Sequence, residues 1–197
     1  MKIGIYSGIN VGSVKDSTIE YIGVDQGVYH LYQQGITPVI AIGDMDSIEN
    51  EQILQDINIQ RYSSIKDDTD TALAMQYAIQ KGYDAIDLYG VTHRRIDHFM
   101  AVLCLLEKYQ DISITIYDEW NKIFVLKPGQ HYLAKDQYHY FSIFAFDESV
   151  VTLKDCHYPL DHYILKRNDP LCVSNQMNEE YAIVENSRPV LCIQSIS

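Results

Sequence analysis

The strongest constraint on this chain is a rhythm. Through its first 118 residues short apolar runs alternate with stretches of helical spacing, and the texture changes after Lys127-Pro128-Gly129. The apolar runs fall at 2–7, 21–24, 38–42, 57–62, 85–89 and 112–117. Between them, 69–81 (TDTALAMQYAIQK) sets Ala72, Met75, Tyr77 and Ile79 near helical spacing and stops at Gly82. The stretch 96–109 (IDHFMAVLCLLEKY) is apolar on most faces, which predicts a buried helix. Strand–helix alternation of this kind implies an α/β domain, a Rossmann-like and mainly parallel sheet with helices on both faces.

The rest reads as short strands and turns at 123–126, 138–146, 150–153, 160–165, 171–173, 181–185 and 190–196, without helical periodicity. That spacing predicts a small antiparallel β-sandwich or barrel. The chain therefore divides into 1–120 and 121–197. The second part is too small to be very stable alone, so it is expected to pack on its neighbour or on a second subunit.

Charge narrows the function. With 15 Lys+Arg against 27 Asp+Glu, the formal net charge is −12. Nucleic-acid binding needs a basic face and is excluded. Nucleotide binding is not, because carboxylates reach phosphates through a bound cation. No apolar stretch approaches the ~20 residues of a membrane span. The start MKIGIYSG lacks the h-region of a signal peptide. Cys104, Cys156, Cys172 and Cys192 form no C-x-x-C pair. They read as reduced core thiols, and hence as a cytoplasmic chain.

The acid is placed rather than spread. Gly43-Asp44-Met45-Asp46-Ser47 follows the run PVIAI, and alternate residues of an extended segment point the same way, so Asp44 and Asp46 can aim at one cation. The same residues also suit a surface turn that caps a helix. Lys66-Asp67-Asp68-Thr69-Asp70 opens the helix at 69–81. Asp67 or Asp68 is a good N-cap, yet three acids in four residues exceed what a cap needs, and Lys66 offers a phosphate contact. In Gly90-Val91-Thr92-His93-Arg94-Arg95-Ile96-Asp97-His98 a charged cluster heads the apolar helix, where Arg95 can hold a phosphate bidentately and Asp97 can ligate a cation. Gly23-Val24-Asp25-Gln26-Gly27 adds a fourth strand end, with Gly27 permitting close backbone approach. There is no G-x-x-x-x-G-K-[ST] loop and no G-x-G-x-x-G.

In this order, G-V-D-Q-G at 23–27, I-G-D-M-D-S at 42–47, K-D-D-T-D at 66–70 and R-x-D-H at 95–98 resemble the thiamin pyrophosphokinase family. A fainter echo follows in Asp155-Cys156-His157-Tyr158-Pro159-Leu160 and in Val173-Ser174-Asn175. The resemblance implies an α/β nucleotide-binding catalytic domain followed by a thiamine-binding β-sandwich, working as a homodimer with thiamine bound between subunits. It implies transfer of the pyrophosphoryl group of ATP to the hydroxyl of thiamine, giving thiamine diphosphate and AMP, with Mg²⁺. Carried over by position, Asp44, Asp46 and Asp70 match acids that hold Mg²⁺ and the triphosphate. Asp46, Asp70 and Asp97 are the catalytic candidates. Asp25, Gly27, Lys66, Asp67, Arg95 and His98 fall on the nucleotide and phosphate side, and Ser174 and Asn175 on the thiamine side. A hydroxyl nucleophile must lose its proton, and either Asp97 or Asp70 can accept it.

This chain departs from the family pattern at Gln26, His93 and Arg94, where glycines are usual. It also lacks the E-W that often follows S-N, carrying Gln176-Met177 instead. Either Met177, flexible and apolar, or a tyrosine takes the aromatic's place. Two other functions fit the same acids: a different Mg²⁺-dependent transferase or kinase using a nucleotide, and a non-catalytic nucleotide-sensing module.

Overall fold

The computed structural model describes residues 1–45, 57–60, 68–92 and 95–196. The chain groups into two compact units, Met1–Glu119 and Trp120–Ser197.

The first unit is α/β. Its elements are β1 (Lys2–Ser7), β2 (Glu20–Val24), α1 (Gly27–Gln33), β3 (Ile40–Ile42), β4 (Ile59–Gln60), α2 (Asp70–Gln80), β5 (Ala85–Tyr89), α3 (Ile96–Lys108) and β6 (Ser113–Tyr117). Every strand pairs in parallel. β1 lies between β2 and β5, with β3 and β4 beyond β2 and β6 beyond β5. Strands covered on both faces need apolar residues on both, and Ile3, Ile5, Ile22, Ile86 and Leu88 are fully buried.

Three buried tyrosines do a second job. Tyr6, Tyr21 and Tyr89 stand on β1, β2 and β5, and each hydroxyl reaches the irregular β1–β2 connection. Tyr6 Oη donates to the Gly12 carbonyl and accepts from the Val11 N–H, both at 3.0 Å. Tyr89 Oη accepts from the Lys15 N–H at 3.0 Å, and Tyr21 Oη donates to the Asp16 carbonyl at 2.5 Å. Burial pushes the Tyr21 phenol up to about 12, so this donor keeps its proton. A connection without a helix is thereby tied to the sheet by side chains rooted in it.

The helices depart from expectation in instructive ways. α1 is an additional element: seven residues, buried only at Gly27, Val28 and Leu31. α2 is capped by Thr69, not by Asp67 or Asp68. Thr69 has extended backbone, and its Oγ1 accepts from the Ala72 N–H at 3.2 Å. Asp67 lies outside the described residues, and Asp68 instead accepts from Gln76 Nε2 at 3.0 Å. α3 was expected to be buried, but only Val102 and Leu106 are. These two lie one helical turn apart on a narrow stripe. A second stripe at the same spacing, Ile96, Met100 and Cys104, is exposed, Ile96 by 77%.

The second unit is an antiparallel sandwich of two four-stranded sheets. Its strands are β7 (Asn121–Leu126), β8 (Gly129–Ala134), β9 (Tyr140–Ala145), β10 (Glu148–Lys154), β11 (Leu160–Lys166), β12 (Asn175–Gln176), β13 (Tyr181–Asn186) and β14 (Val190–Ser195). One sheet runs β12-β9-β14-β7, the other β11-β10-β13-β8. Alternating residues of both sheets meet in one core, with Phe141, Ile143 and Cys192 from the first and Val151, Leu165 and Val184 from the second. β8 was not foreseen. The stretch 171–173, expected as a strand, is not one, and pairing resumes at β12. Cys156, Cys172 and Cys192 are buried free thiols, whereas Cys104, expected in the core, is exposed. Among the described residues no helix is long and apolar enough to cross a membrane.

Candidate functional site

In the first unit the chain leaves β1 toward β2, β3 and β4 on one side and returns to β5 and β6 on the other. Where strand order reverses in an open parallel sheet, loops diverge at the carboxyl ends and leave a crevice. A cavity of about 350 Å³ lies among those carboxyl ends. Its floor is Ser7-Gly8-Ile9 at the end of β1 and Gly90-Val91 after β5. Asp25 and Gln26 after β2 and Asp44 after β3 make one wall, and Arg95, His98 and Val102 of the α3 start another. Thr69 and Thr71 close it from the α2 start, with the Ser7 and Thr71 hydroxyls 2.9 Å apart.

The backbone around this cavity is tightly constrained. Gly90 has φ +77°, and a Cβ there would stand 1.7 Å from the Ser7 carbonyl oxygen. Gly43 has φ +134°, and its Cβ would stand 1.9 Å from Asp25 Oδ1. Only glycine lets these loops approach so closely. Asp25 and Met45, at φ +49° and +61°, also adopt the left-handed conformation that non-glycine residues rarely occupy, and both sit in the turns that present carboxylates. Gly27 permits a close approach within the fold itself. It is buried at the start of α1, and a Cβ would stand 1.8 Å from the Tyr6 carbonyl oxygen, so it sets how closely the helix packs on β1.

Charge is divided across the cavity. Asp25 and Asp44 carry the negative wall and Arg95 the positive one, with the His98 ring beside it. Arg95 is itself held by a carboxylate, donating from Nε to Asp97 Oδ1 at 3.0 Å and from Nη2 to Oδ2 at 2.5 Å. The guanidinium lowers the Asp97 carboxyl to about 2. Asp97 is not among the lining residues, and neither is Asp70, which sits between Thr69 and Thr71 in the first turn of α2. Asp46, Lys66 and Asp67 lie outside the described residues. Thr71 and Ser7 were not among the site residues expected. Thr71 stands one residue beyond the K-D-D-T-D acid run, and a hydroxyl in the first turn of a helix was the available signal.

The second unit holds a different cavity, of about 420 Å³, with Tyr158, Leu160, Leu171, Val173, Ser174 and Asn175 on its walls. Two expected thiamine-side residues, Ser174 and Asn175, are there. Met177 is not: it is 4% exposed, belongs to the sandwich core and pairs with Cys156 through an isolated backbone bridge.

A doubly wound α/β unit with a charged crevice at its switch point, followed by an antiparallel sandwich, defines a two-domain ligand-binding enzyme fold. The family model for the thiamin pyrophosphokinase catalytic domain matches residues 12–117, and that for the thiamin pyrophosphokinase vitamin B1 binding domain matches 130–191. The chain is 36% identical over 167 residues to thiamine pyrophosphokinase of Bacillus subtilis (strain 168), covering 80% of this chain and 78% of that one. Among solved structures, a Bacillus subtilis thiamine pyrophosphokinase superposes with TM-score 0.89 at 30% identity, over 100% of both chains. That of Geobacillus thermodenitrificans follows at TM-score 0.86 and 30% identity, over 99% of this chain and 97% of that one. The chain belongs to the thiamin pyrophosphokinase family.

Proposed function

We propose that this enzyme transfers the pyrophosphoryl group of ATP to the hydroxyl of thiamine, giving thiamine diphosphate and AMP. The observation that carries the reading is the first cavity, where the Asp25 and Asp44 carboxylates face Arg95 and His98 across the switch point. A triphosphate with a bound cation matches that division of charge. In this reading the first unit binds the nucleotide and the second binds thiamine.

The donor set suits Mg²⁺. Asp25 and Asp44 supply hard carboxylate oxygens on one wall. Among the described residues no three His, Cys, Asp or Glu form a metal-holding group. Mg²⁺ needs no such group, because it takes one or two carboxylates and fills its shell with phosphate oxygens and water. Asp44 would hold it with Asp25 beside it, and Asp46 and Asp70 complete the ligand candidates. When bound, the ion would offset phosphate charge.

The chemistry left to the chain is positioning and one proton. Arg95 and His98 hold the phosphates from the α3 side, while the Ser7 and Thr71 hydroxyls face them from β1 and α2. The thiamine oxygen attacks the β-phosphorus. The bond from that phosphorus to the oxygen bridging toward the α-phosphate breaks, and AMP leaves with that oxygen. The hydroxyl proton goes to a carboxylate. Asp70 and Asp97 are the two candidate acceptors, and the Arg95 fork that lowers Asp97 to about 2 makes Asp97 a weaker base than an ordinary carboxylate. The exposed α3 stripe of Ile96 and Met100 supports a homodimer. The four free cysteines support a reducing, cytoplasmic setting. Incubation with thiamine, ATP and Mg²⁺ tests the reading: thiamine diphosphate and AMP in equal amounts support it, and ADP alone or no product rejects it.

A further inference from the structure

We infer that Ser7 is a positioning residue: its hydroxyl, bonded to that of Thr71, latches the first turn of α2 to the end of β1 and so sets where Asp70 stands. The inference rests on the proposed role of Asp70 in the reaction.

The bond joins two elements that are far apart in the chain. Ser7 and Thr71 are 64 positions apart, and their hydroxyl oxygens stand 2.9 Å from one another. One hydroxyl donates and the other accepts. The Ser7 end is rigid. Ser7 is 7% exposed, ends β1 and pairs with Val24 of β2. Gly90 packs so closely that a Cβ there would stand 1.7 Å from the Ser7 carbonyl oxygen. A buried hydroxyl in such a place needs its partner, because leaving it unpaired costs more than the bond gains.

The Thr71 end is a helix start. A threonine in a helix commonly turns its hydroxyl back on a carbonyl three or four residues earlier. In α2 it reaches across to β1. Two residues earlier Thr69 caps the same turn, its Oγ1 accepting from the Ala72 N–H at 3.2 Å and its carbonyl from the Leu73 N–H at 3.0 Å. Asp70 stands between these two threonines and is the acid of that turn. The cap fixes the turn within the helix, and the Ser7–Thr71 bond fixes the turn on the sheet. The direction of the Asp70 Cα–Cβ bond follows from both. Packing adds little to this. α2 buries Ala72, Ala74, Met75 and Ala78, and alanine methyl groups make shallow ridges that resist sliding weakly. Misplacing a reacting group by about 1 Å can cost roughly 10²-fold in rate, so a latch beside Asp70 bears on turnover without touching substrate.

The test reads the ligand-free chain first and turnover second. In amide hydrogen exchange, Ser7→Ala should speed the Ala72 and Leu73 amides roughly five- to tenfold, with the last turn of α2 unchanged. Thr71→Val, which keeps the shape and loses the hydroxyl, should do the same, and Thr71→Ser should stay near the wild type. In steady-state kinetics Ser7→Ala and Thr71→Val should each lower kcat about tenfold, with the KM for ATP within about twofold of the wild type. The Ser7→Ala/Thr71→Val double variant should be no worse than either alone, because both remove one bond. In an Asp70→Asn background Ser7→Ala should lower kcat no further, because it acts through Asp70. Unchanged exchange in Ser7→Ala overturns the inference. So does a rise in the KM for ATP that persists in the Asp70→Asn background, which would mean that the hydroxyls bind the nucleotide directly. A wild-type chain that forms no thiamine diphosphate, while Ser7→Ala still loosens the turn, supports the latch and overturns the functional reading together with the role given to Asp70.

Discussion

The Arg95 guanidinium grips the Asp97 carboxylate through two parallel hydrogen bonds, Nε to Oδ1 and Nη2 to Oδ2. Both residues are exposed, and Arg95 alone of the two lines the first cavity. The pair therefore aims a cation at the ligand, with Asp97 setting its direction.

Removing the fork should cost positioning. Asp97→Asn is expected to lower kcat about 10²-fold, and Arg95→Lys to lose nearly as much, because an ammonium keeps the charge but not the planar geometry. Steady-state kinetics check both. The guanidinium depresses the Asp97 carboxyl to about 2, so the ion pair persists above the ordinary carboxylate range and is lost only as pH falls toward 2. The acid limb of the kcat profile near pH 4 should accordingly be the same in wild type and Asp97→Asn.

Gly90→Ala should damage fold and site together. Its φ of +77° is strained for any side chain, and the new Cβ would strike the Ser7 carbonyl oxygen. The backbone conformation alone costs about 1–2 kcal/mol. Chemical denaturation should show at least that loss, with reduced ATP binding. Stability equal to the wild type would mean that the β1 and β5 loops are not locked against one another.

His30 makes the first unit acid-sensitive. Its two ring nitrogens are buried, its ring packs on Tyr6 at 5.6 Å, and desolvation by burial lowers its pKa. For a base depressed in the folded state, the unfolded chain takes up the proton first. Stability is whole above the ordinary histidine range, begins to fall as pH drops through about 6.5, and stops falling below the folded value. Thermal melts from pH 7.5 to 5 should show this loss in the wild type and a smaller one in His30→Phe.

How much of this was written in the sequence depends on what holds each element. β5 was legible to the residue, Ala85–Tyr89, because a strand covered on both faces is mostly apolar, with Asp87 as the one charge in AIDLY. β8 was not, because GQHYLA buries only Leu133 and carries almost no hydrophobic signal. α1 escaped because seven residues with three buried positions are too few to show a period. The α3 stripe of Ile96, Met100 and Cys104 read as core, since composition cannot tell an apolar face that meets the sheet from one that does not.

The site was legible in the same uneven way. Asp25, Asp44, Arg95 and His98 stood out as polar groups at strand ends and a helix start, and all four line the first cavity. Asn175 stood out too, and its carboxamide is bonded to the Tyr158 backbone, a partner that only folding brings to it. Met177 looked like a replacement aromatic because of its place after S-N, whereas its side chain belongs to the sandwich core.

Isotope position decides whether the β-phosphorus of ATP is the atom attacked. Thiamine is incubated with Mg²⁺ and two labelled forms of ATP, one carrying label in the α-phosphate and the other in the γ-phosphate. Attack at the β-phosphorus leaves α-label entirely in AMP and γ-label entirely in the terminal phosphate of thiamine diphosphate. Label from the γ-phosphate appearing in thiamine monophosphate, with α-label in ADP, would contradict it.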